Sequence, residues 1–303
     1  MAIIAVQTGG VSQIYGMDGA YRAIKEAGFD AVDANLDELL TYRPIRDRQH
    51  VAAFDAEGDE SLQYFKPWKD AAEKYGLKNT QAHAPFPSYI EGEDAYNQYL
   101  MQVLEKTIAG CAYIGCPRLI IHPFFNGYSE SMDAKKEWDL NIDRYTRLIP
   151  AAKKHGVMIC LENMFGSYRG KIYTACCSDF DVACRYIDTL NGIAGETVFG
   201  FCLDLGHALL LGKDIKHIMV QLGSRIQAFH IHDNDGIADQ HIAPYMGILD
   251  WERFIEGLQA IGYHGALSFE TFGAINAFDP ALAPEVLRLI ARTGRMFAEK
   301  AGV

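Results

Sequence analysis

Imidazoles and carboxylates recur in this chain at the ends of short apolar runs. His83 stands in TQAHAP and His122 in RLIIHPF; Glu162 closes MICLEN, and Asp204 with His207 ends GFCLDLGH. His230 and His232 stand in IQAFHIHDN, Asp239 and His241 follow in DQH, and Glu270 closes ALSFE. The set holds six of the ten histidines. Neutral imidazole and carboxylate oxygen are ligands of divalent cations, and burying so many polar groups without partners would be costly. The chain reads as a metalloenzyme holding one divalent ion (Mn, Zn, Mg or Co), with enough donors left over for additional zinc.

The elements that must position these groups follow from a repeated punctuation. A helical pattern ends in glycine and a β-rich apolar run starts within a few residues, at Gly28, Gly76, Gly115, Gly156 and Gly262. Glycine just past a helix end supplies the left-handed cap, so these are repeated βα units. Strands are predicted at 2–8, 31–36, 80–85, 118–124, 157–164, 198–206, 226–234 and 265–271. Eight near-continuous apolar strands alternating with helices specify the α/β class and a (β/α)8 TIM barrel, with residues 1–303 as a single domain. A doubly wound open sheet is the competing reading, weakened because no GxGxxG follows the first strand.

Side chains on a strand alternate, and the alternation tests the barrel. Gln81 shares a side with His83, Ile120 with His122, Cys160 with Glu162, Cys202 with Asp204 and Ser268 with Glu270. The candidate ligands therefore face inward at the C-terminal ends of their strands, where barrel active sites lie. The long polar segment at about 37–60 is expected as a β2–α2 loop acting as a lid or substrate wall.

The formal net charge of -11 argues against nucleic acid as a partner, since that binding rests on a Lys/Arg surface. Seven cysteines without a CxxC pair suggest neither a disulfide framework nor a zinc ribbon, and point to reduced cytoplasm. MAIIAVQTGG lacks a basic n-region, and no run approaches the about 20 apolar residues of a membrane span, so no membrane association is expected. A homo-oligomer is open on this sequence.

As a set, LEN, DxGH, HxHDN followed by DxH, and a final SFE resemble the xylose isomerase-like TIM barrel superfamily. This superfamily contains sugar isomerases, ketose 3-epimerases, inosose dehydratases and endonuclease IV-type DNA-repair enzymes. The resemblance runs in order from His83 to Glu270. It implies a metal held by Glu162, Asp204, His230 and Glu270, with Glu162 and Glu270 as the catalytic acid/base pair. The implied reaction is isomerisation or epimerisation of a small-molecule sugar, sugar acid or polyol by proton transfer next to a carbonyl. A metal-dependent lyase, by dehydration or carbon–carbon cleavage, is the alternative on the same site. By resemblance to endonuclease IV, His83, His122, His207, Asp239 and His241 would instead hold two further zinc ions of a trinuclear phosphodiesterase. In the sugar enzymes those groups would bind substrate hydroxyls or a second metal.

His232 shares the phase of His230, and Asp233 is positioned in the sequence to orient either ring from behind. His50, His155, His217 and His264 read as structural or surface groups. Phe86, Phe124, Phe125, Phe165, Tyr168 and Phe272 fit an apolar wall against a sugar face or packing at the barrel rim equally well. Arg169 and Lys171 fit a phosphate site or plain solvation, and Trp251 is expected to pack its helix onto the barrel.

Overall fold

The computed structural model describes residues 2–127 and 129–303. Its strands are β1 (Ile3–Gln7), β2 (Ala31–Asn35), β3 (Lys78–His83), β4 (Arg118–Ile120), β5 (Met158–Glu162), β6 (Phe165–Tyr168), β7 (Lys171–Thr174), β8 (Phe199–Asp204), β9 (Ile226–His230) and β10 (Ala266–Phe269). Eight of them form one sheet in the order β10-β1-β2-β3-β4-β5-β8-β9. At its two ends Ile231 bridges Phe269: Ile231 N donates to Ser268 O (2.9 Å) and Glu270 N to Ile231 O (3.1 Å). The fold is the expected (β/α)8 TIM barrel. Each of its strands stops one to four residues short of the predicted end, most of them at or just before a candidate ligand, beyond which the chain turns out of the sheet.

The chain divides into two compact units. One takes in the residues up to Ala34, Asp70–Thr80 and Cys202–Val303; the other takes in Asn35–Lys69 and Gln81–Phe201.

In the first unit, β1 pairs in parallel with β10 (Ala5↔Ser268, Val6↔Phe269) and with β2 (Ala5↔Ala31, Gln7↔Asp33). Register partners share a side, so Ala5, Gln7, Asp33 and Ser268 line one face, and Glu270 continues it. On the opposite face the helix Ala283–Ala301 packs through Phe297, whose ring stacks on Trp251 (5.0 Å) and meets Phe254 edge-on (5.7 Å). Gly294 lets that helix approach the sheet: a Cβ there would press on Ile4 and Phe269. Trp251 is buried and opens the helix Trp251–Ile261, as expected.

In the second unit, His83 on β3 pairs with Ile120 on β4, and Ile120 with Cys160 on β5. That register keeps the predicted inward side chains in phase. The helix Ala134–His155 is stopped by Gly156 at φ 64: Gly156 N donates to Lys153 O (3.3 Å) and Val157 N to Ala152 O (3.1 Å), and Asp133 caps the other end through Lys135 N and Lys136 N, both at 3.0 Å. Tyr145 and Phe199 meet edge-on (5.9 Å) in the core of this unit.

Two segments differ from expectation. The 37–60 stretch is no open loop: it folds into short helical turns, Leu36–Leu39, Tyr42–Arg46, Ala52–Asp55 and Asp59–Leu62. It is fastened to the helix Asp94–Tyr113. Val51 N donates to Tyr99 Oη (3.0 Å), the His50 ring stacks on Tyr99 (3.7 Å), and Lys106 Nζ donates to Phe54 O and Ala56 O (2.8 Å each). Burial of Leu40, Ile45, Ala53 and Phe54 makes it a packed layer.

Beyond Glu162, β6 and β7 form an antiparallel hairpin turning at Arg169 (φ 51) and Gly170 (φ 73), the two left-handed positions that tight hairpins require. Arg169 and Lys171 are exposed at its tip, with the Arg169 guanidinium 5.0 Å from the Tyr168 ring. No helix among the described residues is long and apolar enough to cross a membrane.

Candidate metal centre

The predicted quartet, with His83 and His122, sits where strands hand over to their following turns. His83 ends β3, Glu162 ends β5, Asp204 ends β8 and His230 ends β9; Glu270 directly follows β10 and His122 lies just past β4.

In the first unit, Asp204, His230 and Glu270 are buried, and one donor atom from each falls within 4.8 Å of the others. His230 Nδ1 lies 3.4 Å from Glu270 Oε2 and 3.9 Å from Asp204 Oδ2. The other Glu270 oxygen, Oε1, accepts from Gln7 Nε2. Asp204 Oδ1 accepts His207 N at 2.7 Å, capping the short helix Leu205–Leu210. His232 Nε2 donates to the same carboxylate at 3.0 and 3.1 Å.

Asp233 does not orient either imidazole. Its Oδ1 accepts Asn234 N (2.9 Å) and Leu249 N (3.0 Å), and its Oδ2 accepts Tyr245 N and Trp251 Nε1 (3.1 Å each). A backbone N–H cluster captured this carboxylate because the chain turns back on itself at Asp233↔Ile242.

Gly206 explains the glycine of the DxGH run. A Cβ at this position would overlap the His232 ring. Gly206→Ala is therefore expected to cost about 1–3 kcal/mol by overpacking, lowering the midpoint of thermal unfolding. Combining it with His232→Ala should restore part of the loss; a double variant no better than Gly206→Ala would place the cost elsewhere.

A second cluster of the same unit gathers His207, His232, Asp239 and His241. Asp239 Oδ2 lies 3.3 Å from His207 Nε2 and 3.0 Å from His241 Nε2. His241 Nδ1 faces Glu270 O at 3.1 Å, and Phe272 stacks on its ring at 4.1 Å. Burial disfavours a charged His241, but Asp239 and Glu270 outweigh it and push its pKa up to about 9. Burial alone would raise Asp239, yet His241 and His207 hold it well below the usual carboxylate range.

A histidine raised from 6.5 to about 9 contributes stability that is complete below its unfolded value and lost as pH rises through the folded one. The metal-free protein should therefore melt at lower temperature at about pH 9.5 than at about pH 7, and His241→Asn should flatten that difference. An unchanged slope in the variant would assign it to other groups.

In the second unit, His83, His122 and Glu162 converge. His83 Nδ1 faces Ala84 O at 2.8 Å, which places the ring proton there and makes Nε2 the acceptor. That Nε2 lies 2.9 Å from His122 Nε2, and Glu162 Oε2 lies 3.2 Å from His122 Nε2 and 3.7 Å from His83 Nε2. Convergent imidazole and carboxylate donors, buried but for the half-buried His122 and Asp239, are what a borderline divalent ion takes, so all three clusters fit such a group by donor chemistry.

Sequence reasoning missed Gln7 and Asp33. Asp33 is fully buried in AVDAN, its Oδ2 lying 3.4 Å from His230 Nε2 and accepting from Ser268 Oγ at 3.2 Å. The signal was present: an acid in phase within an apolar strand, as for Asp204.

Comparison with known proteins agrees with the fold. The chain is 39% identical over 256 residues to the uncharacterized protein y4fM of Sinorhizobium fredii, covering 82% of this chain and 78% of that one. It is 27% identical over 244 residues to the probable endonuclease 4 of Mycobacterium marinum, covering 73% and 89%. The crystal structure of the 3-keto-D-glucoside 4-epimerase YcjR from E. coli superimposes with a TM-score of 0.71 at 17% identity, covering 97% of this chain and all of that one. The sequence profile described as xylose isomerase-like TIM barrel matches residues 21–293. The chain belongs to that family.

Proposed function

We propose that this protein is a divalent-metal-dependent isomerase or epimerase of a small sugar, sugar acid or polyol, working by proton transfer next to a carbonyl. The observation that carries the reading is the buried convergence of Asp204, His230 and Glu270 at strand ends. The sequence resemblance adds Glu162 as fourth ligand and as partner of Glu270 in acid/base catalysis. The bound ion would hold the substrate oxygens and acidify the neighbouring C–H. Glu270 keeps Oε1 on Gln7 and presents Oε2 as the proton acceptor. His232 and the helix cap fix Asp204 in one orientation. The likeness in fold to a sugar epimerase supports the substrate class.

A second reading, a multi-zinc phosphodiesterase acting on abasic DNA, draws on the two further clusters and on the endonuclease 4 relative. The net charge of -11 weighs against it.

One pair of measurements separates them. Metal content per chain should come to about one ion, and ketoses incubated with the enzyme in D2O should gain solvent deuterium. Close to three zinc ions, with nicking of an abasic duplex at trace enzyme, would replace the sugar reading. Turnover without deuterium entry would overturn the proton-transfer mechanism, and a product lacking water or carbons of the substrate would favour the lyase.

A further inference from the structure

We infer that Gln7 is a positioning residue for Glu270: its amide takes up one carboxylate oxygen, so that Glu270 can offer a cation only the other. The inference rests on the metal-centre reading above and deepens it.

Gln7 closes β1, and Glu270 follows directly on β10. The two strands run parallel with Val6 opposite Phe269, so the next rung sets Gln7 beside Glu270, and alternation puts both side chains on the face of Ala5 and Ser268. Both residues are buried. An amide can meet a carboxylate only through its N–H, and Gln7 Nε2 donates to Glu270 Oε1. The other oxygen has different neighbours: Oε2 lies 3.4 Å from His230 Nδ1 and 3.5 Å from His241 Nδ1. A glutamate side chain left to turn would give an ion either oxygen or both, and would have to be ordered as the ion bound. The hydrogen bond from Gln7 does that ordering in advance, as partners behind a ligand do. Gln7 belongs to none of the ligand motifs; the register of β1 on β10 brings it there.

The experiment is a calorimetric titration of metal-stripped protein with Co2+, with the visible absorption of the bound Co2+ recorded at saturation, together with amide spectra of metal-free protein labelled with 15N at glutamine. Gln7→Met keeps the length of the side chain and loses the donor. It should bind Co2+ about 10- to 100-fold more weakly, and its Co2+ bands should lose intensity as the freed carboxylate supplies a second oxygen. In wild-type protein the Gln7 side-chain N–H should lie downfield, and it should return toward the free-amide position in Glu270→Ala. Melting curves identify which variants fold, and Gln7→Ala, which also lacks the donor, decides the matter if Gln7→Met does not fold.

A folded variant of Gln7 with Co2+ affinity within about twofold of wild type, or with an unchanged Co2+ spectrum, overturns the inference, because packing alone would give that result. So does a Gln7 side-chain N–H that does not respond to Glu270→Ala. Failure of wild-type protein to bind Co2+ at all would instead sink the metal-centre reading, and the amide spectra would still decide the Gln7–Glu270 pairing.

Discussion

Glu270→Gln is expected to lower turnover by about a hundred- to ten-thousand-fold in protein that stays folded and is saturated with metal. Glutamine matches glutamate in shape, and its carbonyl oxygen can still accept from Gln7 Nε2 in place of Oε1. What changes is the other arm. Oε2, now 3.4 Å from His230 Nδ1 and 3.5 Å from His241 Nδ1, becomes an amide nitrogen that can neither take a proton nor ligate a cation as an anion does. Deuterium entry into the substrate should fall in parallel, since proton abstraction and return would be lost together. Turnover retained in the metal-loaded variant would move the base to another group, with Glu162 the next to be replaced.

Asp233→Ala is expected to be the most destabilising change outside the ligand set, by about 3–5 kcal/mol, because several donors lose one buried acceptor at once. Asn234 N, Tyr245 N, Leu249 N and the buried Trp251 indole all point at that carboxylate. They hold the loop that carries Asp239 and His241, so the second cluster should loosen along with the fold. The drop in melting temperature should be about 10 °C. Asp235→Ala is the matched control. Asp235 is exposed and caps Ile237 N and Ala238 N, so less than about 1 kcal/mol is at stake there. Equal losses in the two variants would contradict the assignment of Asp233 as the organiser of this loop.

Asp233 also marks where sequence reading gave out. HxHDN places a carboxylate next to a candidate ligand histidine, and only the fold reveals that Asp233 meets a cluster of N–H groups from Asn234, Tyr245 and Leu249 instead. The strand-end placing of the candidate ligands was legible because an acid or imidazole in phase within an apolar strand is rare, and motif order reinforced each one. Asp33 carried the same phase signal, but without a neighbouring motif it was passed over. The helical turns inside 37–60 were invisible for a different reason: elements such as Ala52–Asp55 and Asp59–Leu62 are too short to show a 3.6-residue period. The hairpin after Glu162 did have a readable turn at Arg169-Gly170, but its strands, Phe165–Tyr168 and Lys171–Thr174, are about as short as strands come.

Asp204 has one oxygen on the first turn of its helix and the other toward His230. Its rotamer is therefore chosen by the backbone during folding, before any cation arrives, and little conformational freedom remains to be lost on binding. The same arrangement narrows what mutation can explore at this corner. Asparagine could keep the cap but would surrender the anionic oxygen, and glutamate would keep the charge at a length that misses His207 N. Under the proposed metal-binding role, a drifting sequence cannot retune the affinity at Asp204 without also renegotiating where the helix begins.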